Sequence, residues 1–329
     1  MTLTRPEVSV IICAYTLERW NDLMEAVNSV QRQTFSSYEV IIVIDHNPEL
    51  FKKASTAIIG ATVVENNGQK GLSGARNTAL AAASGRLMAF LDDDAIAPPD
   101  WLSVVCFWCD QPGVLGAGCK IEPLWLAPRP AWFPDEFGWV LGYSYLGLPK
   151  RAARVRNLNG ANMIFHREVF DEIGGFRTEI GRINKNPLGC EETELCIRAL
   201  QKWPESIFFF DPDISIQHKI PASRTKWAYF RARCYSEGLS KALVTKFVGA
   251  KDGLGSERSY TLRILPKGVM AGFNHAIFHR DRFGLARSGA ILMGLFFTTV
   301  GYLVGSITNQ IGRIKYALGQ KSSILKTRL

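Results

Sequence analysis

Two rhythms of apolar residues alternate through the first two thirds of the chain. Continuous apolar runs of strand length at 8–14, 39–44, 61–64 and 87–91 are separated by stretches with apolar residues at helical spacing. These are 21–31 (Leu23, Ala26, Val27, Val30), 49–58 and 73–84. Runs apolar on both faces suit strands buried between two layers of helices, so the alternation predicts an α/β fold with a doubly wound, mostly parallel sheet. The helix at 73–84 opens at Gly71-Leu-Ser-Gly74 and is expected to close at Gly85 as a glycine cap. A helix follows Pro98-Pro99-Asp100, and 114–121 reads as a strand interrupted by Gly116 and Gly118. The rhythm is then lost over 122–150, which is rich in Pro, Gly and aromatics: Trp125, Trp132, Phe133, Trp139, Tyr143 and Tyr145. That stretch reads as a loop-rich insertion whose rings line an acceptor wall, touch lipid headgroups or pack a second small core. Further on come a strand at 163–165, a short helix ending at Ile173, a turn from Pro187 to Cys190, a helix at 191–200, and short strands at 208–210 and 214–217 before His218.

The strand at 87–91 ends in Asp92, Asp93 and Asp94. Open α/β sheets bind ligands at the carboxyl edge of their strands, where Tyr15, Thr16 and Asp45 also fall. Three adjacent carboxylates repel one another unless a cation sits among them, so the triplet suggests a site for Mg²⁺ or Mn²⁺; a solvated acidic turn is the bland alternative. Neighbouring residues in an extended segment face opposite sides, which pairs Asp92 with Asp94 and turns Asp93 away. Glu191 and Glu192 open a helix, where its dipole alone favours acids, and a lone His218 after a strand is commonly structural.

Charge divides the chain. Residues 1–218 hold 20 Lys and Arg against 26 Asp and Glu, whereas residues 219–329 hold 19 against 4. The basic part is interleaved with apolar blocks, which disfavours nucleic acid and points to an anionic membrane surface. Residues 223–248 read as a basic amphipathic helix. Residues 290–307 are free of charge and just long enough to span a bilayer or to lie in its plane, with 273–278 also at the interface. Arg280, Arg282 and Arg287 precede that segment and Arg313, Lys315, Lys321, Lys326 and Arg328 follow it, so charge gives no orientation. Its Gly and Thr residues would also suit a buried helix or one packing closely on another membrane helix. Seven cysteines without framework spacing suit a reducing compartment, and Cys106-Phe-Trp-Cys109 reads as helix packing, a redox pair being the alternative. No apolar leader occupies residues 1–7, so the first domain is expected on the cytoplasmic face of a membrane.

Four spaced features together resemble family 2 glycosyltransferases of the GT-A fold: the first strand with Ala14-Tyr15-Thr16, the second ending in Asp45, Gly71-Leu-Ser-Gly74-Ala-Arg76-Asn77 before Asp92-Asp93-Asp94, and Gly189-Cys-Glu191-Glu192 running on to Arg198. The likeness covers about 8–240. It implies that Ala14, Tyr15 and Asp45 cradle a nucleotide base and that Arg76 meets the nucleotide or its phosphates. It further implies that Asp92 and Asp93 lie beside the ribose and donor sugar, and that Asp94, Asp92 and His218 hold Mn²⁺ or Mg²⁺. Glu192 matches the acceptor-side base, with Glu191 its neighbour and rival. Asp45-His-Asn-Pro replaces the common Asp-Asp-Gly-Ser, which leaves uracil or guanine open, and Glu-Glu replaces Glu-Asp. Tyr235-Ser-Glu237-Gly238-Leu-Ser-Lys241-Ala is similar to the segment after the catalytic core in polyisoprenoid-pathway members, glucosyl-dolichyl phosphate glucuronosyltransferase-like enzymes among them.

The resemblance thus implies a metal-dependent, inverting transfer of a sugar from a nucleotide-diphosphate donor, UDP before GDP, to a hydroxyl of a lipid-linked or glycan acceptor. The expected division is a catalytic domain at 1–220 (a nucleotide-sugar half, 1–110, and an acceptor half, 111–220), a basic helical region at 221–285, and an anchoring helix with a basic tail at 286–329; a homo-oligomer is compatible with it. The rivals are a metal-dependent nucleotidyltransferase and a non-enzymatic basic membrane-binding module. The first would want a phosphate-cradling glycine loop with lysine near the first strand, and neither accounts for Asp45, Asp92, Asp94 and Glu192 together.

Overall fold

The computed structural model describes residues 5–182 and 188–326, with side chains described as far as residue 310. Pro187 and Arg328 lie outside the described residues, as do the side chains of Arg313, Lys315, Lys321 and Lys326. The described strands are β1 (Val8–Ala14), β2 (Tyr38–Asp45), β3 (Thr62–Asn66), β4 (Leu87–Asp92), β5 (Ala95–Ile96), β6 (Val114–Trp125), β7 (Ala153–Val155), β8 (Asn162–His166) and β9 (Ile207–Ile220). They form one sheet in the order β3-β2-β1-β4-β8-β6-β9-β5, with β7 also paired to β9. The helices are α1 (Trp20–Gln31), α2 (Pro48–Ala57), α3 (Leu72–Ala82), α4 (Trp101–Cys109), α5 (Gly138–Leu141), α6 (Arg167–Ile173), α7 (Glu191–Lys202), α8 (Trp227–Val248), α9 (Ala250–Gly253), α10 (Gly255–Ser259), α11 (Leu265–Phe278) and α12 (Gly284–Lys326).

Through β4 the elements match the periodicity with ends shifted by two residues or fewer. β3, β2, β1 and β4 run parallel. Beyond β4 the sheet is mixed: β8 is antiparallel to β4 and β6, and β5 and β7 are antiparallel to β9. A strand buried on both faces reads the same in either direction, so periodicity could not reveal this. Alternate residues feed two cores: Val10 and Ile12 join Leu23, Val27 and Trp101 on one face, and Ile11 joins Met88, Phe90, Phe165 and Leu195 on the other.

Four local expectations are corrected. Gly85 does not cap α3, which ends with Ala83 in an extended conformation; a Cβ at Gly85 would lie 2.6 Å from the Ser9 nitrogen, so its small size serves the crossing over β1. The two strands expected at 208–210 and 214–217 are one strand, β9, with a bulge: Cys119 faces Asp211 while the next residue, Lys120, faces Ser215. Pro212, lacking an N–H, falls inside that irregularity. The stretch 122–150 contains the end of β6 and the short α5, and Phe133, Phe137 and Tyr143 are buried in the main core, not a separate one. Phe133 and Phe137 meet Phe230 of α8 with ring centroids 5.8 and 5.4 Å apart.

The fourth concerns the basic helix. It starts at Trp227, four residues later than expected, and α12 packs along it. A Cβ at Gly238 would sit 2.1 Å from the Thr298 carbonyl oxygen, and one at Gly301 2.0 Å from that of Tyr235. The helices therefore touch backbone to backbone, an approach that only residues without side chains permit. Residues 284–310 of α12 are long and apolar enough to cross a membrane. The face away from α8 carries Leu292, Phe296, Leu303 and Ile307, each more than half exposed.

Candidate active site

The carboxyl ends of β1, β2 and β4 bring Ala14, Tyr15, Asp45 and Asp92 to one edge, because parallel neighbours end in register: Ala14 pairs with Ile44 and Cys13 with Asp92. Ala14 is buried, whereas Tyr15 is half exposed with the Arg19 guanidinium 5.9 Å from its ring centre. Asp45 is less open than a base-recognising carboxylate would suggest. It accepts from the Asn66 side chain at 2.7 Å and the Gly71 backbone N–H at 3.0 Å, and its Oδ1 lies 2.9 Å from His46 Nδ1. A carboxylate offers about four acceptor positions, so about one remains for a ligand. The contacts to Asn66 and Gly71 also fix the 66–71 loop that leads into α3.

The acidic triplet divides, although not as an extended segment: β4 ends at Asp92, and Asp93 and Asp94 form the turn that leads into β5. Asp94 Oδ1 meets His218 Nε2 at 3.0 Å and Oδ2 meets Arg224 at 3.1 Å, while Asp93 turns to Arg19 at 2.9 Å. Asp92, Asp94 and His218 each offer a ligand atom, all within 4.8 Å of one another. Burial opposes ionisation of Asp94, but His218 and Arg224 outweigh it and hold that carboxyl well below the usual range. Asp92 is pushed up by burial, against the pull of Arg76. Asp93 is pushed up to about 7, again by burial working against Arg19. His218 Nδ1 is buried with no hydrogen-bond partner among the described residues, and Gly142, at φ +88°, packs over the ring where a Cβ would lie 2.7 Å from Cε1. Two carboxylates and an imidazole with a spare buried nitrogen fit a divalent ion of the Mn²⁺ type, for which mixed oxygen and nitrogen donors are suitable.

The first turn of α7 carries three glutamates with different partners. Glu194 is fully buried, held by Arg177 at 2.7 Å and by Arg198 at 3.0 Å. Glu191 accepts from Arg76 at 2.8 Å, and the other terminal nitrogen of that guanidinium reaches the Gly160 carbonyl at 2.9 Å and Asp92 at 3.6 Å. Arg76, 2% exposed, thus joins the two acidic clusters from below and does not reach out to solvent as a phosphate ligand would. Glu192 has only the Thr193 hydroxyl, at 3.2 Å, and no ion pair among the described residues. Burial and the neighbouring Glu191 charge push its carboxyl up to about 7. Cys190, just before it, adopts a left-handed backbone (φ 73°), a strained conformation of a kind that gathers at functional sites.

Sequence reasoning missed Arg19, Arg224 and Arg182. Burial works against the Arg182 charge, yet the group is held protonated by Tyr229, Asp92, Glu191 and Asp94. None of the three lies in a recognisable motif, and the surplus of acids at this edge was the one available hint that cations must converge on it. Cys106 and Cys109 are buried in α4, and burial pushes the Cys106 thiol up to about 12, which fits packing and not redox chemistry.

The family model described as Glycosyl transferase family 2 matches residues 9–174, and a glucosyl-dolichyl phosphate glucuronosyltransferase from Haloferax volcanii is 32% identical over 72% of this chain and 77% of its own. The chain belongs to glycosyl transferase family 2. The nucleotidyltransferase and membrane-module alternatives fall away, and the protein is a glycosyltransferase. Two solved structures share its GT-A architecture. A mannosyltransferase from Pyrobaculum calidifontis, in complex with GDP-Man and Mn²⁺, has a TM-score of 0.58 at 19% identity, covering 90% of this chain and 88% of its own. GalNAc-T7, with UDP, GalNAc and Mn²⁺, has a TM-score of 0.52 at 16% identity, covering 78% and 54%. At those identities they establish the fold of this glycosyltransferase and nothing of its substrates.

Proposed function

We propose that this glycosyltransferase moves a hexose from a nucleoside diphosphate donor, UDP-linked before GDP-linked, to a hydroxyl of a lipid-linked acceptor, with inversion at the anomeric carbon. The observation that carries the reading is the state of Glu192: alone among the acids of its helical turn it makes no ion pair among the described residues, and burial and the Glu191 charge raise its carboxyl to about 7. A base near neutrality both accepts a proton and gives it up again. Glu191, bound to Arg76, is the weaker rival, since proton transfer to it would break that ion pair. Tyr15 and Asp45 would hold the nucleotide, and Asp92, Asp94 and His218 would hold Mn²⁺ or Mg²⁺. That ion would supply charge to offset the departing diphosphate. Arg19, Arg224 and Arg182 keep the same edge cationic, and Arg76 keeps Glu191 ionised and in place beside the base.

A lipid-linked acceptor is supported by the name of the Haloferax relative and by the apolar outer face of α12. Exposed Arg258, Arg263 and Lys267 stand beside exposed Leu262, Met270 and Phe273, a mixture suited to an anionic membrane surface facing the cytoplasm. The test is a panel of nucleotide sugars with Mn²⁺, scoring nucleotide release by detergent-purified protein with and without a polyprenyl phosphate-linked sugar. Acceptor-dependent release from one UDP-sugar is expected, with a product of opposite anomeric configuration. Retention of configuration, or transfer to soluble glycans alone, would overturn the reading.

A further inference from the structure

A cavity of about 520 Å³ lies on the acceptor side of Glu192, a size usual for small-molecule sites. Asp92, Asp94, Tyr15 and Asp45 do not line it. Its walls run from Glu192 and Asn159, past Arg156 and Lys241, to Leu295 and Tyr302 of α12. It reaches the surface beside Thr299, an exposed residue next to the outward apolar face.

The middle of the cavity holds a charge arrangement that the transfer reaction does not need. Arg156 grips Glu257 with both terminal nitrogens, at 2.7 and 2.9 Å, and Lys241 reaches the same carboxylate at 2.7 Å. Lys241 is 12% exposed and Arg156 18%. Burial works against ionisation of Glu257, but Lys241 and Arg156 outweigh it and hold the carboxyl down to about 2. Glu257 therefore stays ionised in the fork at ordinary pH, where an anion with two oxygens to offer would compete with it. Glu257 rides on the five-residue α10, between the four-residue α9 and a π-helical turn at Tyr260–Ile264, so its support is a chain of short pieces. The two oxygens in an arginine fork occupy the geometry that phosphate oxygens would take.

We propose that Arg156 and Lys241 form the subsite for the phosphate of a lipid phosphate-linked sugar, and that Glu257 occupies it until the acceptor arrives. The sugar then lies toward Glu192, and the hydrocarbon leaves past Leu295 and Tyr302 along the outward face of α12. This deepens the function proposed above and rests on its lipid-linked acceptor and on Glu192 as base.

The test uses full-length protein in nanodiscs, with a decaprenyl phosphate probe, neutral decaprenol and inorganic phosphate as separate arms. Glu257→Gln removes the competing carboxylate and is expected to tighten decaprenyl phosphate binding about tenfold, the worth of one charge-assisted hydrogen bond. Arg156→Ala is expected to weaken it by at least that factor, Arg156→Lys to restore part of it, and nucleotide affinity to stay unchanged throughout. Because a variant in this cluster can fail to fold, a photoreactive decaprenyl phosphate is also cross-linked to the unaltered protein, with label expected at 295–302 and 254–261. Equal binding of decaprenol and its phosphate, unchanged or weaker binding by folded Glu257→Gln, or label confined elsewhere would overturn the proposal. Inorganic phosphate binding as tightly as the lipid would show a free-anion site and likewise overturn it. Should Arg156→Ala still glycosylate a lipid-linked acceptor with an unchanged KM, this subsite fails while the proposed function stands; should the wild type glycosylate no lipid-linked acceptor, the function fails first.

Discussion

Replacing Glu192 by glutamine should make the protein more stable and inactive at once, with a pH signature that separates the base from a merely structural glutamate. The carboxyl rises from an ordinary 4.5 to about 7 in the folded chain. Each pH unit is worth about 1.4 kcal/mol, so carrying the charge at pH 8 costs the folded state about 3 kcal/mol. Glu192 keeps part of its surface open to the cavity, and solvent there screens the cost to about 1–2 kcal/mol. The sign follows from proton binding: between pH 4.5 and 7 the folded state holds a proton that the unfolded chain has lost, so the wild type loses stability as pH rises through that window and no more above it. Glu192→Gln carries no such charge. Its Tm should match the wild type near pH 4 and exceed it by about 2–8 °C at pH 8, given about 2–4 °C per kcal/mol for a large domain. Thermal unfolding in detergent with EDTA, at matched pH values, measures this. Transfer by the wild type should meanwhile rise with pH through about 7 and be lost in the variant. A variant equally stabilised at pH 4 and pH 8, or one that keeps nearly full turnover, would refute the assignment.

Asp94→Ala should lower transfer on the order of 10²-fold or more even in saturating Mn²⁺, read as nucleotide release, because it removes the carboxylate gathered by His218 and Arg224. Gly301→Leu should destabilise the protein by about 3 kcal/mol or more, seen as aggregation or a low Tm, since the new side chain would begin 2.0 Å from the Tyr235 carbonyl. Cys106→Ala with Cys109→Ala should lose about 1 kcal/mol per site from packing, while activity stays insensitive to oxidant and reductant.

The first four strands were legible because an apolar run that stops at acids announces both a strand and a candidate site. Asp92, Asp94 and His218 come together as the family resemblance implied, although His218 sits on a strand whose continuity through Pro212 could not be read. Arg198 lies one helical turn from Glu194 and that pair could be read locally, but Glu192 was distinguishable from Glu191 only through Arg76, which is distant in sequence, and a local window does not show that pairing. The C-terminal region was the least legible. Residues 223–248 read as a basic amphipathic helix, whereas Arg233 and Lys241 are mostly buried and the small residues determine what packs against what.

α12 has a consequence for where this enzyme can be cut. The family model ends at residue 174, yet the chamber beside Glu192 is closed by Leu295 and Tyr302, more than a hundred residues beyond that match. A truncation before residue 284, made to obtain a catalytic core without its apolar helix, would strip α8 of its cover and leave the chamber without a roof. Conversely, exchanging the C-terminal helices between relatives would rebuild one wall of that chamber and leave β1, β2 and β4 untouched, so the chamber can change shape while the acidic edge stays fixed.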